Sequence, residues 1–201
     1  MKKKLFLAIL FLILFLINTY LVLTSKLIDF DNAIYKILTS NNSQILTNYF
    51  KLFTKLGNTM TIIIIMCCFL VILDAKNRVK LASILFSTAG LNKLIKIIIK
   101  RPRPSHLHLI VAKGFSYPSG HAMGSMALYG FLLYLVYKKI KNKYLKVFLI
   151  TILIYIIITI GLSRIYLGVH YASDVIGGYL LSLSIIFILE IIYDKLKIKE
   201  Q

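Results

Sequence analysis

Acidic residues are scarce in this chain: seven Asp and Glu stand against 25 Lys and Arg in 201 residues, a formal net charge of +18. So few carboxylates leave little from which to build a magnesium site, which wants carboxylate and phosphate oxygens. Asp29 and Asp31, one residue apart in a long connection, read as solvated turn acids. Cysteine occurs only twice, as Cys67 and Cys68 inside an apolar run. Sequence neighbours cannot easily form an unstrained disulfide, so the pair reads as small buried hydrophobes. Internal repeats, low-complexity tracts and a composition break are also missing, and residues 1–201 read as a single domain. The basic excess does not imply nucleic acid, because the charges fall in short clusters between long apolar runs. Clusters of that kind orient a membrane protein and touch anionic headgroups.

What the chain has in abundance is apolar sequence: 59% of residues, with a mean hydropathy of +0.82. Six runs, at 5–23, 57–73, 79–99, 119–137, 145–162 and 175–193, are each about long enough to cross a bilayer. Only helices satisfy the backbone of such runs in hydrocarbon, so the spacing predicts an all-α fold, a six-transmembrane helix bundle. The first run follows Met1-Lys2-Lys3-Lys4, stays apolar to Leu23 and lacks a small-x-small site before Lys26, which predicts an uncleaved helix. In the connection 24–56, Phe30, Ile34, Ile37 and Leu38, then Ile45, Leu46, Tyr49, Phe50 and Phe53, recur at helical spacing. They read either as short amphipathic helices on the outer leaflet or as a helical loop packed over the bundle. With the N-terminus cytoplasmic, 14 Lys and Arg fall inside and four outside, once seven near the polar motifs are set apart. That bias puts both termini inside and the motif loops outside, in a multi-pass protein of the cell membrane.

Three segments are polar where apolar sequence would cost least, each at the outer end of an expected helix. In the first, Lys96 lies in the last turns of the third run, and Pro102 and Pro104 stop that helix and bias Arg101 and Arg103 toward extended backbone. A guanidinium fixed in this way matches phosphate oxygens bidentately, although a headgroup-gripping cluster has the same composition. The second, Tyr117-Pro118-Ser119-Gly120-His121, opens the fourth helix. Ser119 is a good N-cap, and free N–H groups beside Gly120 suit an anion; Gly120 and Gly124 also suit close helix packing. The third runs from Ser163-Arg164 to His170 and Asp174, spaced i,i+4, where a carboxylate can orient an imidazole. By type, His121, His170 and Asp174 could ligate zinc. Lys96, Arg103 and Arg164 around the same point oppose a cation, so the set is built for an anion and calls for no metal or cofactor. His106 and His108, between the first two motifs, read as exposed loop residues.

These residues resemble the type-2 phosphatidic acid phosphatase family. Its three motifs occur without substitution as Lys96…Arg103-Pro104, Pro118-Ser119-Gly120-His121 and Ser163-Arg164…His170…Asp174, and with the six-run hydropathy the likeness covers nearly the whole chain. The resemblance implies a membrane lipid phosphatase with His170 as nucleophile, Asp174 orienting it and His121 as acid and base. Lys96, Arg103, Arg164, Ser119 and the Gly120 N–H would hold the phosphate oxygens, and the partner would be a phosphorylated membrane lipid. Undecaprenyl diphosphate, phosphatidylglycerol phosphate and phosphatidic acid all carry the group those motifs bind. Vanadium-dependent haloperoxidases share the fold but are soluble, and an anion permease would have no use for the His170–Asp174 pair.

Overall fold

Leucine, isoleucine and phenylalanine crowd the long runs of this chain, and backbone groups flanked by such side chains bond internally where no water reaches them. In the computed structural model, which describes residues 1–199, eight helices form and, among the described residues, no strand. They are α1 (Lys2–Leu23), α2 (Ile28–Thr39), α3 (Gln44–Leu56), α4 (Thr59–Ile72), α5 (Ala75–Ile99), α6 (Gly120–Lys139), α7 (Lys143–Tyr166) and α8 (Ala172–Lys199).

Every one of the six apolar runs coincides with a helix, but they are not six equivalent spans. α1, α5, α7 and α8 are long and apolar enough to cross a membrane alone. At 14 residues, α4 is only about 21 Å long, short of a hydrocarbon core of about 30 Å. It passes as a span only together with α3, from which it bends by 49°. α6 is the central helix: Ala122, Met123, Ser125, Ala127, Leu128 and Phe131 are all buried against α5, α7 and α8. Its small residues permit close approach, since a Cβ on Gly124 would lie 2.6 Å from Ile62 Cδ1 of α4. Cys67 and Cys68 are exposed on α4 rather than buried as expected, because this peripheral helix turns most of its surface away from the bundle.

The connection after α1 forms two helices, α2 and α3, packed on the bundle. One face of α2 (Ile34, Tyr35, Leu38) packs against Ala122, Ile165, Ala172 and Val175. α3 packs Leu46, Tyr49 and Phe50 against Tyr166 and Leu167. Ile37 and Ile45 point outward. At the far end of the bundle, Lys80 of α5 donates to Glu190 of α8 at 2.7 Å, and Lys4 of α1 donates to Glu190 at 3.0 Å and Asp194 at 2.7 Å. Lys80 also lies over the rings of Tyr134 and Tyr193. Breaking a buried pair of this kind by removing one partner costs about 3–5 kcal/mol, so the clamp fixes the register of α1, α5 and α8.

Candidate active site

All three polar motifs meet at one end of the bundle, where α5 and α7 end and α6 and α8 begin. α5 stops at Ile99 with Lys100 in the left-handed region (φ 50°), turning the chain into the proline segment. Ser116 ties that segment back, its N–H donating to the Arg101 carbonyl (2.9 Å) and its hydroxyl to the Pro102 carbonyl (2.9 Å). Gly168 (φ 75°) turns the chain between α7 and α8, and Leu109 N–H donates to the Leu167 carbonyl at 3.1 Å. His170 therefore sits on this turn, ahead of α8, rather than on one helical face with Asp174. The pair still forms, with Nδ1 3.3 Å from Asp174 Oδ2.

An ionised carboxylate only accepts, so His170 Nδ1 carries the proton and Nε2 presents a lone pair. Burial pushes the His170 pKa down to about 4, against the opposing pull of Asp174, and the ring is neutral at neutral pH. That is the form a nucleophile needs. Arg103 Nη1 lies 3.3 Å from Nε2, and the guanidinium is held by carbonyls: Nη1 donates to Val169 (2.7 Å), Nε to Gly114 (3.0 Å) and Nη2 to Lys113 (2.8 Å). Lys96 donates to the carbonyls of Phe115 and Ser116. Arg164, 5% exposed, donates through Nη1 to Thr54 Oγ1 at 2.6 Å, while its buried Nε has no partner. None of these three cations forms an ion pair among the described residues, so their charge is left for an anion.

Ser119 caps α6, its Oγ 3.5 Å from Ala122 N, and its own N–H donates to the Asp174 carbonyl at 3.0 Å. Gly120 follows as the first residue of the helix; a Cβ there would come within 3.3 Å of Asn92 Oδ1. His121 Nε2 lies 2.7 Å from Asn58 Oδ1. A Cβ on Gly57 would sit 2.7 Å from Ile160 Cγ2 and 3.1 Å from His121 Cδ2, so glycine lets the α3–α4 turn lie against that ring. His121 also stands where two cavities meet. One, of about 380 Å³, is largely apolar and runs between α4, α5 and α6 past Ile62, Ile63, Met66, Leu85 and Phe86. The other, of about 340 Å³, is lined by Lys51, Lys55 and Arg164. His106 stacks on Tyr35 with ring centres 3.9 Å apart, and His108 bonds the Pro104 carbonyl.

Behind Asp174 lies a layer that the motifs did not reveal. Arg101 donates to Asp174 Oδ1 (2.7 Å) and to Asp31 Oδ2 (2.8 Å), and its guanidinium stacks on Tyr171 at 4.0 Å. Asp31 is thus no solvated turn acid; it is 1% exposed and belongs to the site, whereas Asp29 is exposed. Asp31, Ile34, Tyr35 and Leu38 share one face of α2, so a carboxylate heading an apolar stripe was the available signal. Asn58, Asn92 and Thr54, which position His121, the Pro118 segment and Arg164, carried no comparable signal.

With this geometry in view, residues 77–197 match the PAP2 superfamily. The chain belongs to that superfamily. It is similar to phosphatidylglycerophosphatase B of Bacillus subtilis (strain 168), 36% identical over 114 residues, 53% of each chain. The alignment thus spans about half the length of that curated relative. The fold superposes on the crystal structure of a transmembrane PAP2-type phosphatidylglycerolphosphate phosphatase from Bacillus subtilis with a TM-score of 0.82. The two are 27% identical, with 94% of this chain and 96% of that one covered. It also superposes on Aquifex aeolicus LpxE (TM-score 0.66, 23% identity, 83% and 95% covered), a likeness of fold.

Proposed function

We propose that this PAP2 protein is a membrane lipid phosphatase that hydrolyses a lipid phosphate or diphosphate through a phosphohistidine, without a metal. One observation carries the reading: a neutral His170 backed by Asp174 sits beside Arg103, in a site whose cations Lys96, Arg103 and Arg164 lack carboxylate partners. Phosphoryl transfer asks mainly for positioning and charge stabilisation, which such a set supplies. His170 Nε2 forms a bond to phosphorus as the bond to the leaving oxygen breaks, and His121, entering the step as the imidazolium beside the anionic substrate, gives that oxygen its proton and is left neutral. Asp174 stabilises the positive imidazole. His121 then takes a proton from water, whose oxygen bonds phosphorus as the N–P bond breaks, releasing inorganic phosphate and restoring His170. Lys96, Arg103, Arg164, Ser119 and the Gly120 N–H hold the phosphoryl oxygens.

The apolar cavity beside His121 is suited to the lipid tail, with the cationic cavity left for the headgroup. Undecaprenyl diphosphate, phosphatidylglycerol phosphate and phosphatidic acid are the substrates of this kind. Residues 1–201 act as one domain with six crossings of the cell membrane, α4 completing its span with α3 and α6 crossing within the bundle. α2 lies at the outer leaflet, the site faces outward and both termini are cytoplasmic, in line with the distribution of Lys and Arg. Purified protein assayed against these three lipids should release phosphate from at least one. No release from any of them would sink the proposal.

A further inference from the structure

Among the described residues, Arg101 alone of the cations at this end of the bundle is paired with carboxylates, and it is paired with two. Its side chain is 11% exposed, and those of Asp31 and Asp174 are fully buried. Were Asp174 its only partner, the buried pair would be neutral, and Asp174 would have little field left for an imidazole gaining charge. Asp31 changes that count: two carboxylates and one guanidinium leave a net negative charge behind His170. The geometry is equally directed. Asp31 Oδ1 accepts from Ser173 N (2.8 Å), and Oδ2 accepts from Ser173 Oγ (2.7 Å) as well as from Arg101. Ser173 Oγ in turn accepts from Arg101 Nη1 at 2.8 Å. The first turn of α8, which carries Asp174, is therefore fastened to α2 through Asp31, while Asp174 Oδ2 is steadied by Tyr171 N at 3.0 Å.

We propose that Asp31 is a positioning residue for the reaction: it holds and neutralises Arg101, so that Asp174 keeps both its orientation and its charge for His170. The inference rests on the phosphatase reading above and extends the catalytic apparatus to α2, outside the matched family region, which begins at residue 77. Asp31 touches neither substrate nor reacting atom. Its effect passes through Arg101 and Ser173 to Asp174, and belongs in the step that places positive charge on His170.

Asp31→Asn keeps the shape and an oxygen for Ser173 N but removes the charge. In purified protein, with a lipid phosphate that the wild type hydrolyses, kcat should fall about tenfold to hundredfold with KM within twofold, as losses behind a reacting group do. Because Asp31 acts through Arg101, Asp31→Asn with Arg101→Gln should cost no more than Arg101→Gln alone. Thermal unfolding in detergent gives the folded fraction to which each rate is normalised. Ser173→Ala, which keeps the N–H bond to Asp31, should lower kcat by a smaller factor and stands in if Asp31→Asn does not fold. An inactive wild type would overturn the phosphatase reading and this inference with it. An active wild type with unchanged kcat in Asp31→Asn (or, if that does not fold, in Ser173→Ala), or additive losses in the double variant, would overturn the inference alone.

Discussion

Replacing three glycines by alanine separates two ways in which the turn before His170 can be strained. Gly168 has φ 75°, and a Cβ there would lie 2.4 Å from the Leu107 carbonyl oxygen, a backbone atom that cannot swing aside. Gly114 has nearly the same φ, 72°, but nothing within 4 Å of its Cβ position, and Gly90, inside α5, is also open. An L-residue in the left-handed region costs about 1–2 kcal/mol, which is all that Gly114→Ala should lose. Gly168→Ala adds overpacking of about 1–3 kcal/mol, for a total of about 2–5 kcal/mol. Gly90→Ala should be neutral or stabilising by up to about 1 kcal/mol, because glycine is the poorer helix former. The strained turn also carries Val169, whose carbonyl holds Arg103, so a shift of about 1 Å at Gly168 should lower kcat by about a hundredfold. Thermal unfolding in detergent at one fixed scan rate, with kcat on the same preparations, gives both quantities. A Gly168→Ala variant no less stable than Gly114→Ala, or no slower than Gly90→Ala, would show that the turn does not act in this way.

Activity should survive EDTA and be inhibited by vanadate, since Lys96, Arg103 and Arg164 are placed to receive an anion; loss with EDTA and recovery with magnesium would point to a metal. A cysteine at position 113, in a background lacking Cys67 and Cys68, should react with an impermeant reagent in intact cells. Labelling only after lysis would invert the topology. His170, whose pKa burial holds near 4, should stay neutral by nitrogen NMR from pH 7.5 to about 5. An unfolded histidine protonates near 6.5, so stability should fall as pH drops through the interval from about 6.5 to 4. A ring that titrates between 6 and 7 would remove the stated cause.

Much of this was legible because local pattern and function coincide here. Apolar runs of bilayer length could only be helices, and Lys96, Arg103, Ser119, Gly120, His121, Arg164, His170 and Asp174 stood out as polar groups at expected helix ends. What escaped depended on pairings remote in sequence. Asp31 meets Ser173 across 142 residues; the apolar stripe it heads on α2 marks an inward face, but nothing local names the partner waiting there. The exposure of Cys67 and Cys68 was illegible for a related reason. Hydrophobicity alone does not separate a helix face packed on protein from one turned away from it, as on α4. The i,i+4 spacing of His170 and Asp174 found the right pair through the wrong geometry: a turn, not a helical face, brings them together.

A phosphorylated His170 is what separates the proposed route from direct attack by water, and it can be trapped. On the proposed mechanism His121→Ala lacks the base that activates water, so a lipid diphosphate, whose phosphate leaving group needs little protonation, should load the enzyme and then stall. Mixed with radiolabelled diphosphate and quenched in alkali after milliseconds, the variant should carry about one equivalent of protein-bound phosphate, mapped by mass spectrometry to His170. Slow turnover should follow, and His170→Ala in the same background should carry none. Label on another residue, or lipid product formed with no protein-bound phosphate at any time, would contradict the account.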